Sequence, residues 1–371
     1  MAHRFAYKPT GITLTCTLND EWGIHVDGTF VDVRLTAPGS IVVLKERYYA
    51  HGGSVTLYDI GSLIECNMRS AGYNYADYTL ALLNENGTVA DSCTVHALYC
   101  DRFTVCTDTD VFLAENFLST LSMRRVPANT IISLFLFAKA GENIHTKVNF
   151  HVRYIPTGAI QCNSININAS SATAASAGVQ QVNISQSAMI RPVATSTQTA
   201  DYLWEIVDFT VTCGQRSVAC FVDRTLRDED CFMFRNCFNV WDVAHIPHFT
   251  TAKTEVDRTL AVINQRSQFY NQSTKKTYEV QSGTITSDEA EWIDQLFTSY
   301  EVMRMVPNDC DDTEPYLFEQ VLITDAHCEV NDGDEKPNTV KFTWRYADNR
   351  AIVRLTASPG IFTQEYDLRF S

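Results

Sequence analysis

The sequence predicts a mainly β protein of two β-sandwich-like domains, the second carrying one amphipathic helix packed on an antiparallel sheet. Three observations lead there. Val340-Lys341-Phe342-Thr343-Trp344-Arg345-Tyr346 alternates strictly, with Val340, Phe342, Trp344 and Tyr346 on one face and Lys341, Thr343 and Arg345 on the other. Residues 286–299 read as a single helix between two strands. Thr286 and Glu289 have the capping-box spacing, and Asp288, Glu289 and Glu291 suit the positive end of the helix dipole. Trp292, Ile293, Leu296 and Phe297, continued by Tyr300, form a docking face that needs an apolar surface. The third observation is the series of short alternating runs at regular spacing in the first 160 residues, the pattern of a sandwich.

Residues 1–160 read as an N-terminal β-sandwich domain with one short helix. Ile12, Leu14, Cys16 and Leu18 alternate with polar residues. Ile41-Val42-Val43-Leu44 is a buried run and Val55-Thr56-Leu57-Tyr58 a further strand. Asp59 is placed to cap a helix through Ile60, Leu63, Ile64 and Met68 that ends near Gly72. Tyr78, Leu80 and Leu82 lead into the turn Asn84-Glu85-Asn86-Gly87, with Cys93, Val95 and Ala97 on the partner strand. Residues 110–123 fit helix and strand equally. Residues 131–138 and 148–154 are two more strands.

Residues 161–200 change character: small polar residues dominate and aromatics vanish. They read as a small-polar linker, or as an extended arm pairing with a neighbouring subunit through Ile165, Ile167, Val179, Val182 and Ile184. Residues 201–371 form a C-terminal β domain containing the helix 286–299. Strands resume at residues 204–211, and residues 232–241 are an aromatic-dense run. His327-Cys328-Glu329-Val330 pairs with Val340–Tyr346 across the turn at residues 331–335.

With 371 residues, 45% of them hydrophobic, the chain has material for two cores. Its formal charge of −15 argues against nucleic-acid binding, which needs an excess of Lys and Arg to neutralise phosphates. The same charge suits a channel wall to which DNA does not adhere. The first residues, Met1-Ala2-His3-Arg4-Phe5-Ala6-Tyr7-Lys8-Pro9, lack the apolar core of a signal peptide, and no apolar run reaches membrane-spanning length. None of the twelve cysteines forms a Cys-x-x-Cys pair, so reduced thiols serving as small core residues are expected.

In the second half, Phe234-Arg235-Asn236-Cys237-Phe238-Asn239-Val240, Tyr278-Glu279-Val280 with Glu289-Ala290-Glu291-Trp292, Leu322-Ile323-Thr324-Asp325, Val340–Tyr346 and Phe362-Thr363-Gln364-Glu365-Tyr366 occur in order. This series resembles uncharacterised structural proteins encoded with phage-tail-like (prophage) gene sets in gut Bacteroidales. The resemblance covers about residues 200–371 and brings no catalytic residues with it. It implies a tail or baseplate component of a virion, assembled in the host cytoplasm, that works by oligomerising beside other tail or baseplate proteins.

Chemistry is sparse. His245-Ile246-Pro247-His248 offers two imidazoles with no third ligand nearby, and a loop explains it better than a metal site. The acidic stretches 309–314 and 331–335 lack the spacing of a calcium loop. The triplets at Asn86, Asn168, Asn183 and Asn271 match glycosylation acceptors, which carry no meaning without secretion. No P-loop, dinucleotide or Gly-x-Ser-x-Gly signature is present. Neither a catalytic set, a cofactor nor a metal is therefore expected. Tyr73 and Tyr75 share a face if extended and are the candidates for stacking on a host-surface glycan, against an ordinary packing role. The function expected is a non-enzymatic, homo-oligomeric tail subunit without membrane insertion. The alternative is a glycan-binding adhesin acting through the first domain.

Overall fold

A computed structural model of the chain describes residues 3–19, 21–102, 108–167, 173–226, 231–246, 248–307, 316–329 and 337–348. The protein is mainly β and sandwich-like, as the alternation predicts, and it divides into two compact units. The first holds residues 1–125, 129–222 and 235–242; the second holds 126–128, 223–234 and 243–371.

The first unit begins with β1 (Arg4–Phe5), β2 (Ile12–Leu14), β3 (Trp22–His25), β4 (Phe30–Ala37), β5 (Ile41–Tyr49), β6 (Ser54–Leu57), α1 (Ile60–Ala71), β7 (Tyr75–Leu83) and β8 (Val89–Leu98). There follow α2 (Thr109–Glu115), β9 (Met123–Val126), β10 (Ile131–Ala138), β11 (Thr146–Tyr154), β12 (Ala159–Ile167), β13 (Gly178–Ser185), α3 (Gln186–Thr197), β14 (Trp204–Cys213) and β15 (Arg216–Val222). One sheet has the order β2-β8-β7-β4-β5 and faces a three-stranded sheet, β1-β3-β6. Period-two alternation drives this packing. Val31, Val33, Leu35, Tyr78, Leu80, Leu82, Val95 and Ala97 point inward and share one cluster with Trp22, Ile24, Leu57, Ile64 and Met68 from the opposite layer and α1. The second five-stranded sheet, β12-β11-β14-β15-β9, buries Val148, Phe150, Val152, Phe209 and Val211 by the same alternation.

Two buried arginines tie this unit together. Arg216 donates to Leu113 O at 2.8 Å, Phe137 O at 2.8 Å and Glu142 Oε1 at 2.9 Å, joining α2, β10 and the turn after it. Arg124 meets Asp242 at 2.6 and 3.1 Å with both side chains buried. Burial disfavours the charged form of Glu142, but the Lys139 N–H and Arg216 outweigh it and hold its carboxyl below the usual range.

Several expectations need correction here. Residues 161–200 are neither linker nor intersubunit arm in their described part. β12 pairs with β11, β13 pairs with β10, and α3 buries Met189, Ile190, Val193 and Ala194. Small polar residues fill the outer faces, while Val182 and Ile184 on alternate positions suffice to seat the strand. The boundaries expected at 160 and 200 therefore fall inside the first unit. Residues 110–123 begin in a helix, so the described part of residues 1–160 contains two α-helices rather than one. Asp59 does precede α1, but its left-handed backbone (φ 59°) leaves it with no side-chain cap bond. Gly72 closes α1 in the left-handed conformation, as expected.

The remaining elements are β16 (Cys231–Arg235), β17 (Trp241–His245), β18 (His248–Ile263), β19 (Arg266–Ser282), α4 (Ser287–Thr298), β20 (Val302–Pro307), β21 (Tyr316–Glu329) and β22 (Thr339–Tyr346), of which only Arg235 and residues 241–242 belong to the first unit. The seven strands among them lie in the order β17-β16-β20-β21-β22-β19-β18. α4 carries the predicted reciprocal capping box: the Glu289 N–H donates to Thr286 Oγ1 at 3.2 Å, and the Thr286 N–H donates to Glu289 Oε2 at 2.9 Å. Trp292, Ile293 and Leu296 are buried, Trp292 against Phe234 of β16, while half-buried Phe297 meets Phe342 of β22. Tyr300 lies past the helix end and is exposed, so it does not extend the docking face. Val340, Phe342 and Trp344 are buried as the alternation requires. Cys328 pairs with Val340 in the expected hairpin.

Among the described residues ten cysteines are free thiols, six of them buried; Cys66 and Cys162 are exposed. Burial pushes the Cys220 thiol up to about 12, which makes it an inert core residue. Residues 168–170, 309–314, 331–335 and 362–366 lie outside the described residues.

Candidate functional site

β18 and β19 are 16 and 17 residues long, roughly three times an ordinary strand. They pair with each other from His248↔Ser282 to Ile263↔Arg266. Asn264 (φ 52°) and Gln265 (φ 61°) make the two-residue turn, both left-handed as a type I′ hairpin requires. β22 pairs with β19 only over Tyr278–Gln281. Beyond that root the two strands run on as a ribbon of about 40 Å, taking ~3.3 Å per residue. Residues 250–260 and 264–276 are exposed throughout.

The root is an aromatic clamp. Tyr278 stacks on Trp344 at 4.2 Å and 10°, Tyr346 stands edge-on to both rings, and Lys276 lies over Tyr278 at 5.3 Å. The ribbon therefore leaves the sheet in a fixed direction.

Its register sorts its side chains. Ala252, Thr254, Val256 and Arg258 share a face with Tyr278, Lys276, Thr274 and Gln272. After the irregularity at Thr259/Leu260, Leu260 lies opposite Phe269 and Val262 opposite Ser267 on that same face. Arg258 covers the Phe269 ring at 4.8 Å. The other face carries Lys253, Glu255, Asp257, Ser273, Lys275 and Glu279. There Lys253 Nζ bonds Glu279 and holds its carboxyl below the usual range. One face is thus charged and the other apolar toward its tip. Leu260 is 63% exposed, Val262 74% and Phe269 59%. An isolated hairpin is marginal in water, and this one leaves an apolar face uncovered near its tip.

The edges are open as well. β18 is the last strand of its sheet, so its outer side has no neighbour among the described residues. The outer side of β19 is likewise without a strand over residues 266–277. Each edge presents a row of backbone N–H and C=O groups ready for another strand.

The residues singled out from sequence fare differently. Trp292, Ile293, Leu296 and Phe297 all meet the sheet, a packing role. Tyr73 and Tyr75 do not come together: half-buried Tyr73 packs on the cluster around α1, and Tyr75 packs on another beside Phe137 at 5.0 Å. Burial and the neighbouring Asp77 push the Tyr75 phenol up to about 12. His245 is half-buried, and the side chain of His248 lies outside the described residues. No group of three or more metal-ligating side chains forms among the described residues. No helix among them is long and apolar enough to cross a membrane.

Sequence reasoning missed the ribbon. Its signal was there in the alternation of Ala252, Val256, Leu260 and Val262 with Lys253, Glu255 and Asp257. The turn hid it, because Asn-Gln replaces the Asn-Gly that announces a hairpin.

No known protein family matches the sequence, and no curated protein does. Among solved structures, the chain is similar to the calcium binding domain CBD12 of CALX1.1, at 11% identity over 58% of this chain and 79% of that one, with TM-score 0.19. It is also similar to trypsin-activated alpha-2-macroglobulin from Escherichia coli, at 7% identity over 92% of this chain, with TM-score 0.20. A Salmonella alpha-2-macroglobulin mutant matches at 8% identity over 94% of this chain, with TM-score 0.20. The chain spans about a quarter of the macroglobulin chains, 28% and 26%. Likeness at these TM-scores carries no argument about fold or function.

Proposed function

We propose that this protein is a non-enzymatic structural subunit that self-assembles into a closed oligomer, as a component of a phage tail or tail-like particle. The observation that carries the reading is the ribbon. A rigidly rooted, two-stranded extension with an uncovered apolar tip and open edges is costly for a protein that works alone. It is what a subunit contact requires. The tail assignment within that reading rests on the resemblance of residues 200–371 to proteins of phage-tail-like gene sets. Further exposed apolar residues on the edge strand β5, Ile41, Val42 and Tyr49, offer a second surface for neighbouring parts of such a particle.

Sedimentation velocity over a concentration series, with negative-stain images of the heaviest species, tests the proposal. The expected result is a discrete closed oligomer of the 41.7 kDa chain. A particle that stays monomeric at high concentration, with no ring in any image, overturns it.

A further inference from the structure

Resting on that reading, we infer that copies join by strand addition between ribbons, the outer edge of β18 in one copy pairing with the outer edge of β19 in the next. The two open edges lie on the same ribbon and run antiparallel to each other. A β18-to-β19 contact therefore continues the antiparallel order and leaves the same two edges open at the ends of the pair. Repeating it consumes both edges of every copy and closes into a barrel of two strands per subunit.

Edge use chooses this contact over a symmetric one, because pairing β18 with β18 leaves both β19 edges open, and the charges fit it. On the charged face β18 carries Glu255 and Asp257 beside one lysine, whereas β19 carries Lys275 over its open stretch. In the register that each strand already uses within its own chain, Glu255 lies opposite Lys275. Between copies that register sets Glu255 against the next copy's Lys275, and the two-residue stagger that barrel closure calls for sets Asp257 there instead. A two-fold pairing of β18 with its own copy about Val256 sets Glu255 against Asp257 twice, and one about Glu255 sets that residue against itself between two Lys253–Asp257 pairs. Like charges directly opposite are destabilising. Two β19 edges paired about their lysines would repel in the same way. The heterologous contact also lays the apolar tips side by side, so that Leu260 and Phe269 of each copy are shielded at their flanks by those of the next.

Mixed-cysteine cross-linking tests this on the full chain. In a background with Cys66→Ser and Cys162→Ser, one set of proteins carries a cysteine on β18 (Lys253→Cys, Glu255→Cys or Asp257→Cys). A second set carries one on β19 (Ser273→Cys, Lys275→Cys or Thr277→Cys). Each is tested alone and in pairwise mixtures with a short bis-maleimide, the background protein serving as the blank. The expected result is a dimer band in at least one mixture that neither partner gives alone. Dimers from β18 variants alone would overturn the inference in favour of a two-fold contact. No dimer from any variant or mixture, while sedimentation still shows an oligomer, overturns strand addition and leaves the assembly reading standing. Loss of the oligomer in the uncross-linked background as well as in the wild-type chain overturns the assembly reading itself.

Discussion

Replacing Leu260, Val262 and Phe269 together by serine should dissolve the assembly and leave the subunit folded. All three side chains sit on the apolar face of the ribbon and are 63, 74 and 59% exposed in the single chain. Full burial of such a side chain stabilises by about 1.5–3 kcal/mol. Covering only the exposed fraction then contributes about 1–2 kcal/mol apiece, or about 3–6 kcal/mol for the set. Association should weaken roughly 10²- to 10⁴-fold, since each 1.4 kcal/mol is tenfold. Within the subunit these residues touch little, so each change should move folding stability by no more than about 0.5 kcal/mol. Sedimentation velocity reads the first quantity and a thermal melt the second. Association identical to wild type would refute the reasoning. So would a fall in melting temperature of many degrees, which would mean that the tip packs inside its own chain.

The other predictions concern the scaffold that aims the ribbon. Trp344→Ala removes the ring under Tyr278 and empties a buried site beside Phe232, at a cost of about 3–5 kcal/mol in a denaturant titration, and should loosen the ribbon root. Thr286→Ala breaks the capping box of α4 and should cost about 1 kcal/mol. Arg216→Met orphans the Leu113 and Phe137 carbonyls together with Glu142 and should destabilise the first unit by about 3–5 kcal/mol. Glu142 has a lowered pKa in the folded chain, so its contribution is present above its ordinary value of 4.5 and is lost as pH falls through the depressed one. Glu142→Gln should flatten the stability curve below about pH 4.5 and leave its neutral side unsloped, as chemical denaturation across pH would show.

Much of the second unit was legible because its signals are local. The capping box and the face Trp292-Ile293-Leu296 lie within three turns, and the alternation of Val340–Tyr346 lies within one strand. The first unit hid its seams because they are set by pairing at long range. β13 reads as a polar tract until β10 is laid beside it, for only Val182 and Ile184 are fully buried on it. α3 contains Pro192 and a run of Ser and Thr, poor helix formers that tertiary packing of Met189, Ile190 and Val193 overrides. The tyrosine pair failed for a different reason. Tyr73 precedes β7 and Tyr75 begins it, so the extended geometry that would align the two rings does not hold between them. The ribbon was legible in its alternation but not in its exposure, because a half-buried strand and a projecting one write the same pattern.

Hydrogen exchange resolved by residue, at concentrations below and above assembly, addresses the ribbon most directly. In the dilute chain the outward amides of residues 250–260 and 266–276 should exchange quickly, having no strand beyond them. On assembly they should slow by orders of magnitude, with the buried strands of both units unchanged. If those amides exchange at the same rate in an assembled particle as in the free chain, the copies meet somewhere else, and the ribbon is not what joins them.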